Sequence, residues 1–93
     1  MLDEPLDPVS ASRLARDILE NGTVSYTGHA RREMAKDGLS EADIERALRS
    51  GTEPAEWEGG QWRYRFFCAD VWAVVSFRNE QLLVTITAWR KRR

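Results

Sequence analysis

The hydrophobic period of this chain changes once, and that change limits what it can fold into. Before about residue 51 apolar side chains recur three and four positions apart, whereas from Trp57 onward they alternate with polar ones. Helices followed by strands, without βα alternation, imply an α+β domain with N-terminal helices packed on one face of a twisted antiparallel β-sheet. The first helix is expected over residues 11–20, capped by Ser10, with Leu14, Ala15, Ile18 and Leu19 as its buried stripe before Asn21-Gly22 ends it. A short β segment at residues 23–26 leads into a second helix over 28–37, which buries Ala30 and Met34 and stops at Gly38. Ser40 caps the third helix with Asp43 in the capping-box position, and Ile44, Ala47 and Leu48 face inward until Gly51.

Strands are expected near residues 54–58, 62–69, 72–78 and 82–89, joined at Gly59-Gly60, Asp70-Val71 and Asn79-Glu80. Two-residue loops at the last two turns pair Phe67 with Val74, Val74 with Thr85 and Trp72 with Thr87. One face of the sheet then carries Trp62, Tyr64, Phe66, Cys68, Ala73, Val75, Phe77, Leu82, Val84, Ile86 and Ala88, and must pack on the helices. The other carries Arg63, Arg65, Phe67, Trp72, Ser76, Arg78, Thr85, Thr87 and Trp89, with no helix left to cover it.

Length and composition narrow the function. Ninety-three residues make a single domain, 1–93, in which residues 1–9 read as a loose acidic lead-in and 90–93 as a basic tail. One cysteine and one histidine leave no sequence-spaced metal site, so no cofactor or metal is expected. No leader and no long apolar run is visible, which implies a cytoplasmic protein without a membrane partner. Residues 1–60 hold 7 basic and 13 acidic side chains, a charge of −6, and residues 61–93 hold 7 and 2, a charge of +5. The excess of cations falls on the strands, where arginines interleave with flat rings. That combination suits phosphate neutralisation and base stacking on single-stranded nucleic acid. The same residues are equally the anchors of a protein interface.

His29 lies where the short β segment hands over to the second helix. With Thr27 as the N-cap it is the second helical residue, beside free backbone N–H groups. An imidazole base beside such donors suits chemistry on a phosphodiester. Arg32 and Glu33 share its side of the helix, the first to bind a phosphate and the second to orient the ring. A lone histidine at a helix start is more often a surface residue or local cap, and Arg32, Glu33 and Lys36 also read as a solvated ion-paired face. Cys68 falls on the core face and is expected to be inert.

The string from Tyr26 to Gly51, with His29-Ala30, Met34, Gly38-Leu39-Ser40, Ile44, Ala47-Leu48 and Gly51, resembles a small bacterial domain family of unknown function. The likeness spans about residues 23–90 and closes on Thr85-Ile86-Thr87-Ala88-Trp89. That family looks related to the RelE, MqsR and BrnT toxins of the barnase, EndoU, colicin and RelE ribonuclease fold. The resemblance implies a metal-independent endoribonuclease toxin acting on mRNA, free or on the ribosome, and a cognate antitoxin that covers its sheet. It carries the family's leading histidine onto His29, its late-strand threonine onto Thr87 and its terminal aromatic onto Trp89. Three positions depart from the pattern: Glu33 and Asp37 stand where arginines are usual, and Trp89 replaces a tyrosine. Arg32 is one position too early to replace the first arginine, about 100° around the helix, which passes that role to Arg63 or Arg65.

The functional expectation is therefore an endoribonuclease in which His29, Arg65 and Thr87 act on the scissile phosphate. Arg32, Arg63, Phe67, Trp72, Arg78, Thr85 and Trp89 would hold the RNA. The alternative is a non-catalytic module whose arginine and aromatic face docks on a protein or on a second copy of itself.

Overall fold

The first helix starts on Asp7 rather than Ser10. In the computed structural model, which describes residues 2–91, Asp7 Oδ1 accepts from the Ser10 N–H at 2.7 Å. Pro8, lacking an N–H that would need a partner, then opens α1 (Pro8–Asn21). Gly22 follows because the turn at Gln81 passes so close that a Cβ there would lie 2.4 Å from the Gln81 carbonyl oxygen. After β1 (Thr23–Tyr26), Thr27 Oγ1 accepts from the Ala30 N–H at 3.0 Å and starts α2 (Gly28–Lys36). The expected capping box starts α3 (Glu41–Ser50): Asp43 N–H donates to Ser40 Oγ at 3.2 Å, and Ser40 N–H to Asp43 Oδ2 at 2.8 Å. The Ser40 N–H, together with the Ser40 hydroxyl donating to Oδ2 at 3.0 Å, holds the Asp43 carboxyl below its usual range.

Among the described residues the remaining elements are β2 (Gly51–Thr52), β3 (Glu56–Glu58), β4 (Gln61–Cys68), β5 (Val71–Asn79) and β6 (Leu82–Arg90). The sheet runs β1-β6-β5-β4-β2, and β3 pairs with the first part of β4. All pairs are antiparallel except β1 with β6. The short β1 is thus a parallel edge strand within the sheet. Ala11, Ala15 and Ile18 of α1, Met34 of α2 and Ile44, Ala47 and Leu48 of α3 meet Tyr64, Phe66, Ala73, Val75, Phe77, Leu83 and Ala88 in one core. The α+β architecture with its helices on one face is as expected.

The register differs from expectation at both hairpins. Val71 is drawn into the core, so the first loop is Ala69-Asp70, with Ala69 at φ 54°. Phe67 therefore faces Trp72, and Arg65 faces Val74. That two-residue shift leaves the faces of β4 and β5 unchanged. The second loop is Glu80-Gln81, held by Asn79 Oδ1 accepting from the Gln81 N–H at 2.8 Å. Irregularities between Val74 and Val75 and between Phe77 and Asn79 then alter β6. Val75 faces Thr85 while Val74 faces Thr87, which makes Ile86 the extra residue of a bulge. In consequence Leu83 and Thr85, not Leu82 and Val84, are buried among the helices, and Thr87 and Trp89 remain on the other face.

The described residues near each end are also better anchored than expected. Leu2 and Leu6 pack on the core, and the Tyr64 hydroxyl accepts from the Leu6 N–H at 3.0 Å while donating to Glu4 at 2.9 Å. Arg90 is the last strand residue rather than tail: its N–H donates to Asp37 Oδ2 at 2.8 Å, and its guanidinium pairs with Asp70 at 3.1 Å. Arg92 and Arg93 lie outside the described residues.

Burial pushes the Tyr64 hydroxyl up to about 12, with Glu4 adding to the effect, and burial followed by Glu41 and Glu45 does the same for Tyr26. Both phenols hold their protons more tightly folded than unfolded, so their contribution is complete below pH 10 and is lost as pH rises toward about 12. The urea midpoint should fall across that window, and less steeply in the Tyr26→Phe/Tyr64→Phe protein. Tyr64→Phe at neutral pH should cost about 1–2 kcal/mol in urea unfolding and speed proteolysis before residue 8.

A candidate nucleic-acid interface on the open sheet face

The face turned away from the helices is ordered in rows. Phe67, Trp72 and Trp89 lie opposite one another on β4, β5 and β6 and form a continuous stack. Phe67 and Trp72 have ring centroids 4.8 Å apart at 26°, and Trp72 and Trp89 have theirs 6.2 Å apart at 5°. Such contacts add about 0.5–1.5 kcal/mol each to the burial of the rings. The next row is Arg65, Val74 and Thr87. Beyond it come Arg63 and Ser76, which follow Tyr64 and Val75 away from the core. Val74 and Ser76 are buried although no helix lies over them, so the longer side chains on either side close across the central strand.

His29 stands at the β6 margin of this face. The Thr27 N–H donates to the Thr85 carbonyl at 3.0 Å, and its hydroxyl to the Ile86 carbonyl at 2.9 Å, which pins the start of α2 at the bulge. His29 is exposed and no hydrogen bond to another side chain among the described residues holds its ring. Glu33, expected to orient it, accepts from Lys36 Nζ at 3.2 Å instead. Arg32 is exposed, with Nη1 folded back to within 3.4 Å of where a Cβ on Gly28 would be, so its cation lies at the start of the helix. Arg31 points elsewhere, over the Tyr26 ring at 4.4 Å and onto Glu41 at 2.6 Å.

The expected site residues therefore divide. Phe67, Trp72, Trp89, Arg65 and Thr87 share two adjacent rows, with Arg63 next along β4. His29 and Arg32 are on α2, whose start is tied to β6 at Ile86, one residue before Thr87, whereas Arg65 lies two strands beyond Thr87, about 10 Å across the sheet. Arg78 is exposed at the far end of β5, beside Leu2 and Gln81 and six residues from Trp72, about 20 Å along the strand. Thr85 is not on this face at all: it is 0 % exposed, turned into the core by the bulge, with no partner for its hydroxyl. Sequence reasoning missed the acidic neighbours of the arginines. Glu58 reaches Arg63 at 3.4 Å and Glu56 reaches Arg65 at 3.9 Å. The signal was present in the Gly59-Gly60 loop, which fixes Glu56 opposite Arg63.

The chain belongs to the family described as a domain of unknown function, DUF4258, whose model matches residues 26–90. Comparison with curated proteins and with solved structures returned no match. The matched stretch begins at the last residue of β1 and ends with β6, so it includes α2, the aromatic row and the two arginines of β4 but not α1.

Because the buried Thr85 hydroxyl is unsatisfied, Thr85→Val should be neutral or raise stability by up to about 1 kcal/mol in urea unfolding. Trp72→Ala, which removes the middle ring of the stack, should lower stability by about 1–3 kcal/mol, with Trp72→Phe recovering most of it.

Proposed function

We propose that this DUF4258 domain binds single-stranded RNA on its open sheet face and cleaves it as the toxin of a toxin–antitoxin pair. The observation that carries the binding part is the Phe67–Trp72–Trp89 stack beside the Arg65–Val74–Thr87 row. Stacked rings next to guanidiniums provide a platform for a base and a counter-charge for a phosphate in adjacent positions. Because each ring covers its neighbour, the row offers two open ring faces, one at Phe67 and one at Trp89, rather than three. A base stacks on Trp89, the end nearer His29.

The nuclease part rests on the family resemblance and on the location of His29. His29 takes the proton of a ribose 2′-hydroxyl, the 2′-oxygen attacks phosphorus, and the 5′-oxygen leaves with a proton from solvent. The products are a 2′,3′-cyclic phosphate and a 5′-hydroxyl. Arg32, on the same side of the helix start as His29, supports the developing phosphorane charge together with Thr87. Arg65, two strands further off, holds a neighbouring phosphate of the strand. An antitoxin would act by covering the rows.

The second reading is a protein-binding module. It is favoured by the carboxylates beside Arg63 and Arg65 and by the closed stack, which presents mostly ring edges, as protein interfaces use them. Purified protein, His29→Ala and Trp89→Ala should be incubated with mixed RNA in EDTA and the product ends identified. The nuclease reading expects cyclic phosphate ends from the wild type, a loss of about 10²-fold or more in His29→Ala and a smaller loss in Trp89→Ala. Products ending in 3′-hydroxyl would defeat the mechanism. Intact RNA, with the same protein arresting no growth on expression and forming a stable dimer, would favour the interaction module.

A further inference from the structure

Two polar atoms on the open face lack the hydrogen bonds that their burial calls for. Ser76 is 3 % exposed and its Oγ has no partner among the described residues; Arg63 Nε is buried and equally without one there. The two residues are the next along β4 and β5 after the Tyr64–Val75 pair, and both turn away from the helices. Around them charge is paired only loosely. The contacts of Arg63 with Glu58 at 3.4 Å and of Arg65 with Glu56 at 3.9 Å are long beside the 2.7–2.9 Å of a good charge-assisted bond. Both carboxylates are more than half exposed. Gly59 makes room for this arrangement, since a Cβ there would lie 2.7 Å from Arg63 Nη2. Two forked cations with spare donors, next to an unused hydroxyl, match an anion with several acceptor oxygens better than they match two distant carboxylates.

We infer that Arg63, Arg65 and Ser76 form a phosphate subsite, which the carboxylates of Glu58 and Glu56 occupy in the free protein until a phosphodiester displaces them. The inference rests on the nucleic-acid reading above and adds to it a third ligand, Ser76, and a competitor carried by β3. When Arg63 swings from Glu58 to a phosphate, its Nε and the hydroxyl beneath it are uncovered together. β3 then acts as an internal mimic of the ligand, which suppresses weak contacts and admits a strand that brings phosphates to both arginines at once.

Binding of a fluorescent single-stranded 2′-O-methyl RNA, which cannot be cleaved by 2′-oxygen attack, separates the outcomes. Exposed ion pairs of this kind compete weakly, so Glu56→Gln/Glu58→Gln should bind about fivefold tighter than wild type. Asp17→Asn/Glu20→Gln, which makes the same charge change on α1, should stay within about twofold. Ser76→Ala in the β3-substituted protein should weaken binding by about threefold without lowering the urea midpoint. Equal gains from the two charge-matched variants would overturn the subsite and leave RNA binding standing. An unchanged affinity in the Ser76→Ala protein would remove Ser76 from it. Failure of every protein, wild type included, to bind RNA would overturn the nucleic-acid reading and the subsite with it.

Discussion

Thr27 is the joint on which the arrangement depends. Its hydroxyl accepts from the Ala30 N–H and donates to the Ile86 carbonyl, and its own N–H donates to Thr85. One residue thus ends the parallel edge strand, starts α2 and fastens both to the bulge of β6. Because the bulge inserts a residue at Ile86, Leu83 and Thr85 can face the core while Thr87 and Trp89 face the other way. Without that insertion the alternation of β6 would place either Thr85 or Thr87 wrongly for its surroundings. The aromatic row and the location of His29 are therefore consequences of the same few hydrogen bonds.

Much of this was legible in the residues, for identifiable reasons. Side-chain caps act within three positions, so Thr27 and Ser40 could be assigned without tertiary information, and both start the helices they were expected to start. Ser10 failed because Asp7 and Pro8 are a better pair for the same task, three residues earlier. The faces of β4 and β5 were correct despite a wrong loop, since a register error of two residues preserves parity. β6 could not be read in the same way. Leu82, Val84 and Ile86 alternate as convincingly as Leu83 and Thr85, and only the packing of the helices and the contact with Thr27 decides between them. The two arginines were readily seen, but their carboxylate neighbours were not, because Glu56 and Glu58 read as solvent-facing residues until the Gly59-Gly60 loop turns them back on β4.

The departures from the family pattern acquire structural sense. Asp37, which the resemblance would make an arginine, takes the Arg90 N–H, tying the end of α2 to the last residue of β6. Glu33 is matched by Lys36 on its own helix. Trp89 ends the stack as a broader ring than tyrosine. The cation at the start of α2 is accordingly Arg32 alone, whereas those of the sheet gather two strands away. A ligand that satisfied both groups would have to lie across the strands rather than along them.

Thr23 pairs with Leu82, so the first strand of the sheet finds its place only beside the last. A polypeptide emerging from the ribosome exposes the apolar stripes of all three helices well before any strand that covers them exists. The fold is therefore completed late, after synthesis of β6, because its non-local strand pairing must wait for that strand.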